Sequence, residues 1–161
     1  HEYVDDWDTW GKVDSIYSNT NIAFSPSIIA SSQLVYKPFS SPKKGSLEIA
    51  FITKYVGEQF IDNTSSEYSV LDDYLVNDLR MSYSIKSKFF KEIVLSTWVR
   101  NLFNQNYISN AWIYRFKSNG YNPVNDDIYA NAEGEGTGRY NQIGAFNQAG
   151  INFFVGLTLK F

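Results

Sequence analysis

Carboxylates and aromatic rings are the side chains best able to do chemistry in this chain, and both crowd into a few stretches. Asp5, Asp6 and Asp8, and again Asp126 and Asp127, stand close enough in sequence to hold a hard cation such as calcium through carboxylate oxygens. Neither run has EF-hand spacing, so a solvated acidic face is the expected reading and no metal site is assigned. Trp7, Trp10, Trp112, Tyr114, Tyr121, Tyr129 and Tyr140 fall in the same long stretches. Rings beside polar groups suit ligand capture at an outer vestibule, although ordinary loop packing would account for any single one. Gly134-Glu135-Gly136-Thr137-Gly138 lacks the Gly-Lys-Ser/Thr ending of a phosphate loop and reads as a flexible segment. No nucleophile–base pair is visible, the one histidine is His1, and cysteine is absent. Thiol chemistry, disulfides and zinc–cysteine sites are therefore excluded. No enzymatic function and no cofactor are expected.

The elements that must position these residues read as strands. At 161 residues, with 17% aromatic and 19% charged content, the composition favours strands and turns over helices. A net charge of -3 argues against a nucleic-acid footprint, which needs a basic face. There is no apolar run long enough for a transmembrane helix, but a membrane barrel carries only short alternating segments and escapes that test. Five segments alternate with period two. Ile22 to Lys37 sets Phe24, Ile28, Ala30, Leu34 and Tyr36 against Ser25, Ser27, Ser31 and Gln33. Ser46 to Val56 sets Leu47, Ile49, Phe51 and Tyr55 against Ser46, Glu48, Ala50 and Lys54. Tyr74 to Ile85 sets Leu75, Leu79, Met81, Tyr83 and Ile85 against Asp78, Arg80, Ser82 and Ser84. Glu92 to Arg100 sets Ile93, Leu95 and Val99 against Glu92, Ser96 and Arg100. The C-terminus sets Ile151, Phe153, Val155, Leu157, Leu159 and Phe161 against Asn152, Gly156, Thr158 and Lys160. Every charge falls on the second face. Such lengths exceed the usual five or six residues of a soluble strand and suit a tilted bilayer crossing.

The connections alternate as well. Short links are expected at Pro38–Gly45 and Lys86–Lys91, and long ones at His1–Asn21, Ile61–Asp73 and Asn104–Gln148. Short periplasmic turns and long extracellular loops are the habit of membrane barrels, so the last strand would descend to a periplasmic Phe161. The short turns and strand ends hold Lys37, Lys43, Lys44, Lys86, Lys88, Lys91 and Lys160, while the long loops hold most of the acid. Tyr36, Phe39, Tyr83, Phe89, Phe90 and Phe161 would form one aromatic girdle; Tyr55, Phe60 and Tyr74 would form the other.

Three stretches resemble TonB-dependent outer-membrane receptors, in the style of the Bacteroidetes group. They are Lys54 to Ser65 followed by Val76 to Arg80, Val99-Arg100-Asn101-Leu102-Phe103-Asn104-Gln105-Asn106-Tyr107, and Gly150 to Phe161. The second is similar to the family's penultimate-strand motif, with Arg100 in place of its first Asn. The last also resembles the general outer-membrane ending, with a terminal Phe. The resemblance implies an all-β fold, an antiparallel transmembrane β-barrel of about 22 strands around an N-terminal plug. This chain, beginning at an internal cut point, would supply about the last five strands, residues 1–161 forming one C-terminal portion. It implies uptake of a scarce ligand across the outer membrane of a Gram-negative bacterium. The implied partners are the rest of the barrel and plug, TonB–ExbB–ExbD acting through that plug, the outer-membrane assembly machinery, a surface lipoprotein, and membrane lipid with lipopolysaccharide. Phe153, Val155, Leu157, Leu159 and Phe161 resemble the assembly signal. Glu48, Lys54, Asp78, Arg80, Arg100 and Lys160 would face the lumen, either meeting the plug or simply solvated. A passive barrel or surface adhesin with the same wall, and a soluble secreted β-sandwich binding module, are the rival readings.

Overall fold

The computed structural model describes residues 2–43, 45–121, 130–131 and 138–161. Among the described residues it is all-β, built from antiparallel sheets, with a 3-10 turn at Glu67–Ser69 and no closed barrel. The strands in chain order are β1 (Glu2–Asp6), β2 (Gly11–Ser15), β3 (Ile29–Ser41), β4 (Gly45–Val56), β5 (Gln59–Phe60) and β6 (Val70–Leu71). They continue as β7 (Tyr74–Ile85), β8 (Glu92–Arg100), β9 (Ile108–Lys117), β10 (Ala130–Asn131), β11 (Arg139–Asn147) and β12 (Asn152–Lys160). The chain divides into two compact units.

The first unit comprises residues 28–56, 74–106 and 149–161. It is one antiparallel meander, β3-β4-β7-β8-β12, with β3 and β12 as its two edges. These are the five segments whose alternation the sequence displays. Facing pairs such as Leu34↔Phe51, Phe51↔Leu79, Leu79↔Val99 and Phe153↔Val99 carry the apolar alternates of all five strands onto one common face. A slip of one residue between any two strands would have scattered them, because the side-chain period is two.

The boundary of the first segment differs from expectation. The strand begins at Ile29, so Ile22, Phe24 and Ile28 precede it, and it runs through Pro38 to Ser41. Proline lacks the N–H that a ladder requires, yet β3 is an edge and the register shifts between Tyr36 and Phe39. An edge with a bulge is where a strand accepts proline. The short link is therefore only the turn from Ser41 to Gly45. Gly45 has φ 79°, and a Cβ there would lie 2.2 Å from the Ser84 carbonyl oxygen, so this tight turn admits glycine alone.

The second unit comprises residues 1–27, 57–73 and 107–148. Its sheet has the order β10-β11-β9-β1-β2, beside a small β5-β6 ribbon. All pairings are antiparallel except a brief parallel contact, Asp5↔Phe116 and Asp6↔Lys117. Ile61, Leu71 and Ala111 form its buried core, flanked by Ile108, Ile113 and Ile143. The stretch Asn104–Gln148, read from sequence as loop, thus contains the β9/β11 hairpin. Ile108–Lys117 also alternates, but its two faces are aromatic and mixed, not apolar and charged, so it does not resemble the other five.

Candidate functional site

The meander has two unlike faces. One carries Leu34, Tyr36, Phe39, Leu47, Ile49, Phe51, Leu79, Met81, Leu95, Phe153, Val155, Leu157 and Leu159, and no charge among the described residues. It is left open to the surroundings: Leu34 is 72% exposed, Phe153 73% and Leu157 64%. None of these residues joins a buried core, and no second layer within the unit covers them. Polar residues also fall on this face, namely Ser32, Thr97 and the facing pair Thr53 and Asn77, which share a 2.8 Å hydrogen bond from the Thr53 hydroxyl.

The opposite face holds all the expected lumen charges. Glu48 pairs with Lys37 at 3.1 Å and lies 4.0 Å from Arg80, and Lys160 pairs with Glu92 at 2.5 Å. Asp78 accepts from the Trp98 indole at 3.2 Å, while the Arg100 guanidinium sits 5.5 Å above that indole. Lys54 is exposed. Trp98 and Phe154 make this face more aromatic than the alternation suggested, with ring centroids 6.4 Å apart.

The Asn101 motif ties three strands together. Asn101 is 3% exposed with φ 51°, a left-handed turn that Asn tolerates better than most residues. Its backbone N–H donates to Asp78 at 2.9 Å, and its side-chain amide donates to the carbonyls of Gln105 and Ala149 at 2.8 and 3.1 Å. Its side-chain oxygen accepts from the Gln105 N–H at 2.8 Å, and Leu102 N–H reaches the Asn77 carbonyl at 2.7 Å. Asn104 in turn accepts from the Ile151 N–H at 2.9 Å, at the entry to β12. Asn101→Ala strands these buried groups and burdens the turn with an unfavourable φ, and is expected to cost about 2–4 kcal/mol in a urea titration of the refolded protein. Asn101→Gly, which relieves φ but not the hydrogen bonds, should cost less; an equal or greater loss would mean that the left-handed φ adds no strain and the lost hydrogen bonds carry the whole cost.

The second unit gathers the aromatic candidates. Trp112, Tyr114 and Phe116 lie on one side of β9, with Ala111, Ile113 and Arg115 on the other, as strand alternation requires. Phe116 is buried and central. Trp7 stacks on it at 4.0 Å, Tyr114 at 5.8 Å and Tyr140 at 5.4 Å, and Tyr121 meets it edge-on at 5.0 Å. The Trp7 indole donates to the Tyr114 hydroxyl at 3.2 Å, which donates to Asp5 at 2.7 Å. Burial, aided by the charge of Asp5, pushes the Tyr114 phenol above its ordinary value, so it remains a donor. Trp10 is 94% exposed at the β1–β2 turn, across a hollow of about 300 Å³ that Asp5, Trp7 and Lys12 also line.

Of the seven expected ligand-loop aromatics, then, Trp7, Tyr114, Tyr121 and Tyr140 come together, and Trp10 lines the same hollow as Trp7. Trp112 stays apart, its indole seated where a Cβ on Gly144 would lie 2.2 Å away. Tyr129, Asp126, Asp127 and most of the glycine-rich run lie outside the described residues. Phe116 escaped notice, although rings at 112, 114 and 116 share one strand face. Asp5, Asp6 and Asp8 do not converge as ligands. Asp6 accepts from the N–H groups of Asp8 and Thr9 and lies 3.7 Å from Lys117; together these outweigh desolvation and hold its carboxyl below the ordinary value. Asp8 accepts from the Asn119 N–H and the Ser118 hydroxyl. No metal-holding group of His, Cys, Asp or Glu occurs among the described residues. Comparison of the chain with protein-family models, with curated proteins and with solved structures finds no match.

Proposed function

We propose that the meander is part of the wall of an outer-membrane β-barrel, and that the chain belongs to a receptor of the TonB-dependent type that imports a scarce ligand into the periplasm. The carrying observation is the shared register. Five strands of 9 to 13 residues bring every apolar alternate to one exposed, uncharged face and every strand charge to the other. Hydrocarbon meets the first face without penalty; water or a plug meets the second. A soluble sandwich needs a second layer over Leu34, Phe153 and Leu157, and the unit holds only the five strands and their connections. The open edges at β3 and β12 call for further strands, since unpaired backbone groups are not tolerated in lipid. The resemblance of the Asn101 motif to the family's penultimate strand favours the TonB-coupled receptor over a passive barrel, whereas the ending at Phe161 fits both. The Phe116 ring cluster suits ligand capture, and no chemical step is assigned to it.

The chain has no native cysteine, so single spin labels can be placed cleanly. In the full-length protein reconstituted in bilayers, labels at Leu79 and Val155 are expected to be relaxed by oxygen, and labels at Arg80 and Thr158 by a water-soluble nickel chelate. Loss of this two-residue alternation, or a protein that stays dissolved without detergent, would refute the wall.

A further inference from the structure

The pairs Ser41↔Gly45, Ser46↔Ser84, Ile85↔Ile93 and Lys160↔Glu92 set the two tight turns and the end of β12 side by side along one end of the meander. Lys43, Lys86, Lys88 and Lys91 are exposed there. Glu92, the one acidic side chain among the described residues of this rim, is already held by Lys160 at 2.5 Å. Phe89 is 88% exposed and Phe161 81%, the latter edge-on to Phe90 at 5.2 Å. A hollow of about 260 Å³ lies between the turns, lined by Ser41, Ser46, Ser84 and Lys86 among others. Exposed rings beside exposed ammonium groups and serine hydroxyls match one surface chemistry: acyl chains below, anionic phosphates above.

We propose that this rim binds the headgroups of an anionic phospholipid of the phosphatidylglycerol class and selects it over zwitterionic lipid. The inference rests on the wall proposed above, which puts the rim at the bilayer boundary, but it adds a lipid preference that the wall does not require. Juxtamembrane lysines each contribute up to about a fivefold bias toward an anionic leaflet, screened by salt. In the full-length protein, reconstituted in mixed bilayers, spin-labelled phosphatidylglycerol is expected to be held at the protein surface in preference to spin-labelled phosphatidylcholine. The preference should fall at high salt. Replacing Lys43, Lys86, Lys88 and Lys91 together by Gln should remove most of it, whereas Lys54→Gln, on the polar face away from the rim, should leave it unchanged. Equal retention of the two lipids by the unaltered protein, or a preference that survives the four substitutions, overturns the proposal. Failure to enter any bilayer would instead sink the wall itself.

Discussion

On the proposed barrel wall, Leu157→Arg is expected to abolish assembly into the outer membrane, and Thr158→Arg, one residue farther on, to leave it intact. Leu157 faces Leu95 in the middle of β12, on the uncharged face, while Thr158 faces Val94 on the face that carries the charges. A guanidinium held in hydrocarbon near the midplane costs roughly 2–4 kcal/mol, and one directed into water or a polar lumen costs little. Leu157 also belongs to the terminal apolar series that resembles the assembly signal, so the same change would impair recognition as well as insertion. The measurement is the heat-resistant folded band in outer-membrane extracts. Comparable bands for the two variants would contradict the face assignment.

Arg115→Met is expected to loosen the other unit without disturbing the meander. Arg115 is 7% exposed; one terminal nitrogen reaches Glu2 at 2.7 Å and contacts Asp62, and its Nε donates to Asn141 at 2.9 Å. Removing the cation strands two partly buried carboxylates, a change that costs about 3–5 kcal/mol when a buried pair is broken on one side. Hydrogen exchange should therefore speed by about two to four orders of magnitude in β1, β9 and β11, with β4, β7 and β8 nearly unchanged. Adding Glu2→Gln and Asp62→Asn removes the stranded charge and should recover much of the protection. Uniform acceleration in both units, or no recovery in the triple variant, would show that the arginine is not a local clasp.

The meander was legible because its signal is binary. Charge is excluded from one alternate position and admitted at the next, and that contrast survives without knowledge of partners. The side-by-side placement of the short turns followed from loop length. β9 and β11 were hidden for a physical reason: their faces meet a ring cluster on one side and a small core with a buried arginine on the other, so polar and apolar residues mix on both. Arg115 is hard to single out in the sequence because Glu2, Asp62 and Asn141, which it joins, come from three distant stretches. Pro38 misled in the opposite direction, since proline marks a turn more often than the bulge of an edge strand. The carboxylates at Asp5, Asp6 and Asp8 suggested a cation by proximity, but each is occupied by a hydroxyl, a lysine or backbone N–H groups of its own neighbourhood.

The Arg115 clasp has a consequence for how such a protein can change. Three excursions from the meander fold jointly, and one guanidinium is the rivet through all of them. An excursion exchanged by itself for a sequence from elsewhere would arrive without its matching acid or amide and leave the remaining two misfitted. Divergence of these segments should therefore proceed as a set, and a transplant of any one of them would have to carry all three.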